Sequence, residues 1–337
     1  MRTVKLRNVL TAIGIVGLGL FVWLAWEEIV EAVVLLSEFN WLVLLLVIPL
    51  QLFNYLLRAW FYQSVLAHFG YRVGLLRMYG MAWAVNFVTL ALPSAGISAA
   101  TIVGTVLRKN GISGGTAAMV QFTKYGMTYT SFAVVLLAAL AAAILTGEAG
   151  TVLMQFVGLI AVGIVGLTAL FLYLLYNERA FDWAVQAVQR GVDWLSRTIR
   201  GGKELIGVER IHKLLRDFYR SFHRVMKRKM YLKQPFLLAL AGNVVEVSLL
   251  YIFFVAIGFA LNPAIVVIAY AIATSTGFIS IIPGDVGVYE LVMVAVLSAA
   301  GVPLAVGLSV TVMYRVFVKL LFLPLGFYFY NRHIREV

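Results

Sequence analysis

The chain is 337 residues long, 62% hydrophobic and 12% charged, with a mean hydropathy of +0.95, so lipid is the solvent for most of its surface. It has no cysteine, which excludes disulfides, thiolate metal sites and cysteine nucleophiles, and its four histidines (His68, His212, His223, His333) are too scattered for a metal cluster. The net charge of +12 fits membrane topology and anionic lipid without any call on nucleic acid.

The N-terminus carries Arg2, Lys5 and Arg7 ahead of an apolar run from Val9 to Trp26. The run ends in bulky Trp and Glu instead of a small-residue cleavage site, so it reads as a retained first span that starts in the cytoplasm. It leads to an external acidic segment with Glu27, Glu28, Glu31 and Glu38, which completes a first unit over residues 1–38. A second span, about 40–67, returns to Arg72 and Arg77. From Arg77 to Pro93, and again from Pro93 to Arg108, a helix would rise roughly 22–24 Å, short of a hydrocarbon core about 30 Å thick. Two short limbs meeting at a proline predict a re-entrant hairpin dipping in from the cytoplasm.

A third span, 112–145, leads out towards Glu148, and a fourth, 151–176, comes back to a segment (177–233) that holds 14 of the 27 Lys and Arg. In that segment Ile211, Leu214, Leu215, Phe218 and Phe222 recur at helical spacing with Lys213, Arg216, Arg220 and Arg224 on the other side, predicting a helix on the inner leaflet. It either anchors the topology or recruits anionic lipid. A fifth span, 234–260, a second pair of limbs meeting at Pro283-Gly284, and a last span, 303–330, complete the chain before a tail at 331–337. The expected fold is an all-α polytopic membrane protein with about six full spans plus two re-entrant helical hairpins arranged as an inverted repeat. The repeats occupy 39–145 and 234–330, joined through a connecting span within 146–176, with both termini cytoplasmic in the cell membrane.

The repeat is carried by punctuation. Leu92-Pro93-Ser94-Ala95-Gly96 is followed by Gly111-Ile112, and Ile282-Pro283-Gly284-Asp285-Val286-Gly287 by Gly301-Val302, with 18 residues from proline to glycine in both. Corresponding breaks in two halves of a membrane protein point to a transport site between them. Pro93 and Pro283 interrupt helical bonding, while Gly96, Gly284 and Gly287 let the backbone turn, so the tips either meet a ligand or simply turn the chain. Charged residues deep in the spans are the strongest site candidates, because hydrocarbon penalises an uncompensated charge. Arg58 and Glu246 lie in the opening helices, and Lys124 and Arg315 lie at matching depth in the closing ones. Arg315 and Lys319 share a helix face and would reach one phosphate, whereas internal pairing with Glu290, Glu246 or Asp285 is the structural alternative.

Those residues resemble a known family. Ile282 to Glu290, with Gly301-Val302 and Arg315, is similar to the Pro-Gly-Gly-Leu-Gly-Val-Phe-Glu element of the lysylphosphatidylglycerol synthase transmembrane family, the flippase-like domain of multiple peptide resistance factors. Asn86, Leu92-Pro93, Arg108 and Gly111 resemble its first-half element, and the likeness covers roughly residues 40–330. The chain departs from it at Asp285, where Gly is usual, and at Ser94 to Ser98, where the family tends to carry a Gly, Glu and Arg-bearing run. The resemblance implies movement of a phosphate-bearing lipid between leaflets, either aminoacylated phosphatidylglycerol or a polyprenyl-phosphate-linked sugar. No stretch of the sequence corresponds to the soluble aminoacyltransferase domain of fused members, so lipid synthesis is not expected. Arg58, Lys124, Arg315 and Lys319 would hold the phosphate, and Glu290 with Asp285 would take a cationic head group or reset the cations.

No cofactor or metal is called for, and the expected partners are membrane phospholipid or polyprenyl-phosphate lipid and, for a scaffold, a lipid-modifying enzyme. An enzyme is less expected than a transporter, because aspartyl proteolysis needs two carboxylates in one site and Asp285 is the only Asp placed in the membrane. The rival classes are a lipid-phosphate transferase, with Glu290 as base and Arg315 as clamp, and a non-catalytic scaffold for a lipid-modifying or glycosyl transferase.

Overall fold

The computed structural model describes residues 26–91, 97–145, 176–187, 232–275 and 287–335, together with single positions between 163 and 219. Within them the chain forms helices and no strands: α1 (Trp26–Leu35), α2 (Trp41–His68), α3 (Leu75–Ala91), α4 (Ile97–Arg108), α5 (Gly114–Leu145), α6 (Lys233–Ala256), α7 (Pro263–Ser275), α8 (Val288–Ala299), α9 (Leu304–Tyr314) and α10 (Leu323–Arg335). Residues 178–187 are also helical. The predicted spans 9–26 and 151–176, most of the basic segment 177–233 and both hairpin tips lie outside the described residues.

Among the described residues, four helical stretches are long and apolar enough to cross a bilayer: Trp41–His68, Gly114–Leu145, Lys233–Ala256 and Leu304–Arg332, with 28, 32, 24 and 29 residues. At ~1.5 Å per residue these reach about 36–48 Å, beyond a hydrocarbon core of ~30 Å. The helices between them are shorter. Within the described residues α3, α4, α7 and α8 have 17, 12, 13 and 12 residues, or about 18–26 Å, and no one of these described stretches spans that thickness. The order long, short, short, long therefore occurs twice. The external acidic segment expected after Trp26 is itself helical: α1 and a 3-10 turn at Leu36–Glu38 take up most of it, and α1 packs on α9.

The repeated punctuation has the same geometry in both places. Gly111 and Gly301 adopt φ of 72° and 85°, a left-handed conformation that suits glycine and closes a helix. The next amide then reaches back five residues, Ile112 to the Leu107 carbonyl at 3.2 Å and Val302 to the Leu297 carbonyl at 3.0 Å. Between repeats, the opening helices α2 and α6 pack antiparallel. The Asn40 amide at the head of α2 donates to the carbonyl of Ala256 at the end of α6 at 2.7 Å. The short limb α3 packs on the last helix of the other repeat, α10, and its counterpart α7 packs on α5.

Two apolar cores result. One gathers Val103 and Leu107 of α4 with Phe61, Tyr62, Met78 and Met81, and the other gathers Phe253 and Phe254 of α6 with Ile268, Met293, Leu297 and Val310. Between them an aromatic stack joins Tyr55, Trp83 and Phe322, with ring centroids 3.5 Å apart for Tyr55–Trp83 and 5.3 Å for Trp83–Phe322. Between α9 and α10, Arg315–Leu320 forms a wider π-helical turn. Pro324 explains its position, since it has no amide to give the Leu320 carbonyl and crowds the preceding turn. The Val318 carbonyl in that turn is taken by the side-chain amide of Gln51 at 2.9 Å.

Candidate functional site

Polar residues inside an apolar helix need partners, and here they find them on neighbouring helices. Along α2, Gln51, Asn54 and Arg58 recur at steps of three and four, on one face that meets α6. The same spacing on α5 aligns Gln121, Lys124, Thr128 and Ser131. Three contacts fasten the helices at this level. Tyr62 donates its hydroxyl to Gln121 at 2.8 Å, and Asn243 donates its amide to the Thr128 carbonyl and the Ser131 hydroxyl, both at 2.8 Å.

A cleft of about 130 Å³ opens between α2, α5 and α6, and Arg58, Lys124 and Glu246 all line it. Glu246 is the best-satisfied charge. It pairs with Arg58, accepts from the Asn54 amide at 2.8 Å, and accepts from the hydroxyls of Tyr270 and Tyr314, both at 3.3 Å. With four donors on its two oxygens, its lone pairs are used up. Its side chain is 6% exposed, whereas that of Arg58 is 31% exposed, so the arginine is partly open to the cleft while the carboxylate is not.

Lys124 differs. Its ammonium lies 5.8 Å from the ring centre of Tyr62 and 5.0 Å from that of Tyr125, and it makes no salt bridge or hydrogen bond to the described residues. Tyrosine faces stabilise a cation without neutralising it. Among the described residues the cleft thus presents two basic side chains, Arg58 paired with Glu246 and Lys124 without an ion-pair contact, against a single engaged carboxylate.

A second charged pair lies in the other repeat. Arg315 donates to Glu290 at 2.5 Å and sits 4.5 Å over the Tyr289 ring. Glu290 is held from a second side by the backbone amide of Gly287 at 2.7 Å, which caps α8. The two sites connect through stacked rings, since Tyr289 lies against Tyr314, whose hydroxyl reaches Glu246. Lys319, in the π-helical turn, acts on Glu246 electrostatically.

The structure therefore brings together Arg58, Lys124 and Glu246, and separately Arg315 and Glu290, with Gly287 at the head of α8. Of the four cations expected to share a phosphate, Arg315 pairs with Glu290 and Arg58 with Glu246. Asp285, Pro93, Gly96, Pro283 and Gly284 lie outside the described residues. Sequence reasoning missed Asn54, Tyr62, Tyr125, Asn243, Tyr270 and Tyr314. The polar stripes on α2 and α5 were the available signal; the three buried tyrosines on α2, α7 and α9 look like ordinary core. Among the described residues no three His, Asp or Glu side chains gather as they would around a metal ion.

Over residues 9–326 the sequence matches the family described as the lysylphosphatidylglycerol synthase TM region. The chain belongs to that family. The match includes every residue of the cleft and of the Arg315–Glu290 pair. Membership of this lysylphosphatidylglycerol synthase TM-region family and the four long apolar helices together establish a multi-pass membrane protein with a lipid-related role. A comparison with curated proteins gives no match.

Proposed function

We propose that this chain is a flippase-like transporter that moves a phosphate-bearing lipid, aminoacyl-phosphatidylglycerol or a polyprenyl-phosphate-linked sugar, between the leaflets of the cell membrane. The observation that carries the reading is the cleft between α2, α5 and α6, where Arg58 and Lys124 face an opening inside apolar helices with only one engaged carboxylate between them. A charge left uncompensated in a membrane is costly, and a head-group phosphate would compensate it while the acyl chains stay in lipid.

The antiparallel opening helices, the matched glycine turns and the exchange of short limbs support an inverted repeat. The lengths of α3, α4, α7 and α8 support two re-entrant hairpins. With basic clusters cytoplasmic, both termini are inside, and the cleft, lined by the first half of α5 and of α6, faces the cytoplasmic half of the bilayer. Rocking of one repeat against the other changes which leaflet has access. Arg58 and Lys124 take the phosphate, and Arg315–Glu290 braces the second hairpin. The chain acts as a transporter and not as an enzyme.

The test is lipid photocrosslinking. A phospholipid with a photoactivatable group near its phosphate is expected to label peptides from α5 and α6 around Lys124 and Asn243, and Lys124→Gln is expected to reduce that labelling several-fold. Labelling confined to the outer, lipid-facing residues, unchanged by Lys124→Gln, would refute the reading.

A further inference from the structure

We infer that the cleft selects a lipid whose phosphate is its only charge and whose remaining head group is neutral and hydroxylated, such as a polyol or a sugar, and that it discriminates against a head group bearing amines. The inference deepens the transporter reading and rests on it.

The argument begins with the count of charges. An aminoacylated phosphatidylglycerol carrying lysine brings one phosphate and two ammonium groups, and each ammonium entering a membrane cleft needs an acceptor in place of water. The described cleft offers none. Glu246 is its sole carboxylate among the lining residues, and four donors already occupy it. An added ammonium would also meet Lys124, a like charge with no acidic partner among the described residues.

The two repeats differ on this point. In the second, Arg315 is matched by Glu290, the third residue of α8. In the first, the positions that correspond along α4 are Ala99 and Ala100, so Lys124 has no such counterpart. A glutamate there would have given the first hairpin an amine acceptor and neutralised its cation. Alanine leaves the cation for the ligand. The rest of the cleft suits hydroxyls: Tyr125 and Tyr129 stack with ring centroids 6.2 Å apart, and Thr128 and Asn243 stand beside them. Such rings offer an apolar face with a polar edge, which fits a polyol or sugar ring.

The test uses the full chain in proteoliposomes and acyl-chain-labelled phosphatidylglycerol, lysyl-phosphatidylglycerol and phosphatidylcholine, following leaflet exchange by quenching from outside. Phosphatidylglycerol is expected to cross about tenfold faster than the lysyl form, since like-charge juxtaposition is costly. Lys124→Gln narrows the ratio and Lys124→Glu reverses it. Equal or faster movement of the lysyl form by the unaltered protein overturns the inference and leaves the transporter reading standing. A preference that Lys124→Gln leaves unchanged overturns the assignment of selectivity to this cleft. If no lipid moves faster than in protein-free vesicles, the transporter reading falls and the head-group inference with it.

Discussion

Glu246 and Lys124 show how differently two membrane-embedded charges can be treated by one fold. Glu246 collects Arg58, Asn54, Tyr270 and Tyr314, from three helices, so its removal would strand a cation and release three polar groups together. Glu246→Ala is expected to cost about 3–5 kcal/mol and to lower the thermal unfolding midpoint in detergent, because the buried partner is left uncompensated. Glu246→Gln should cost distinctly less, as it keeps the acceptor oxygen for the tyrosines and loses only the charge. At Lys124, truncation should be close to neutral for stability, since only ring contacts are lost, at about 0.5–1 kcal/mol each. A large loss of stability in Lys124→Gln would argue that the lysine is a structural tie and not a ligand for an incoming group.

At this scale the sequence was informative about which charges matter and silent about how they pair. Depth in an apolar run picked out Arg58, Lys124, Glu246 and Arg315 as candidates, and three of them are ion-paired in the structure. Spacing placed Arg315 and Lys319 on one face, but partner choice depends on what lies across the interface. The Glu290 carboxylate, fixed by the Gly287 amide, takes Arg315 for itself.

Among the elements, the close fit of α10 on α3 hangs on one residue. A side chain at Gly326 would place its Cβ 2.9 Å from both the Phe87 Cβ and the Trp83 carbonyl, and neither can withdraw without moving the α3 backbone. Gly326→Val is therefore expected to destabilise by about 1–3 kcal/mol, read as a drop in the unfolding midpoint, through overpacking. Gln51→Leu tests the π-helical turn: the Val318 carbonyl loses its donor and the expected cost is about 1–3 kcal/mol. The hairpins can be mapped because the chain has no cysteine of its own. Cysteines replacing Gly74 and Lys109 should react with an impermeant thiol reagent from one face of the membrane, and cysteines replacing Asn262 and Ala300 from the other. Ser94→Cys should stay unmodified from the face opposite Gly74; modification there would mean that α3 and α4 lead across the bilayer.

The four long helices were legible within a few residues, because sustained apolarity between turn residues leaves little freedom of assignment. The helical character of Trp26–Leu35 was not, since four glutamates between residues 27 and 38 look like a solvated loop although their neighbours Val30, Val33 and Val34 form an apolar surface. The π-helical turn before Pro324 was also missed, although the proline was in view.

For the whole molecule, the correspondence between its two halves matters more than any single contact. Matching glycine turns, antiparallel opening helices and crossed-over short limbs mean that each half is braced by the other, and the Tyr55–Trp83–Phe322 stack lies where the halves meet. The charges depart from that symmetry: among the described residues Lys124 makes no ion pair in the first half, whereas Arg315 pairs with Glu290 in the second. If the closed pair braces a moving hairpin, Arg315→Gln should slow lipid movement while sparing photocrosslinking in the cleft, a separation that a passive scaffold would not show.

The most direct measurement of the central claim is leaflet exchange of acyl-labelled phosphatidylglycerol in proteoliposomes, comparing the unaltered chain with Arg58→Gln and Lys124→Gln at equal folded protein. Exchange well above protein-free vesicles in the unaltered chain, falling at least about tenfold in both variants as two phosphate contacts are lost in turn, is the predicted result. Exchange that persists undiminished in both variants would contradict a lipid path through the cleft.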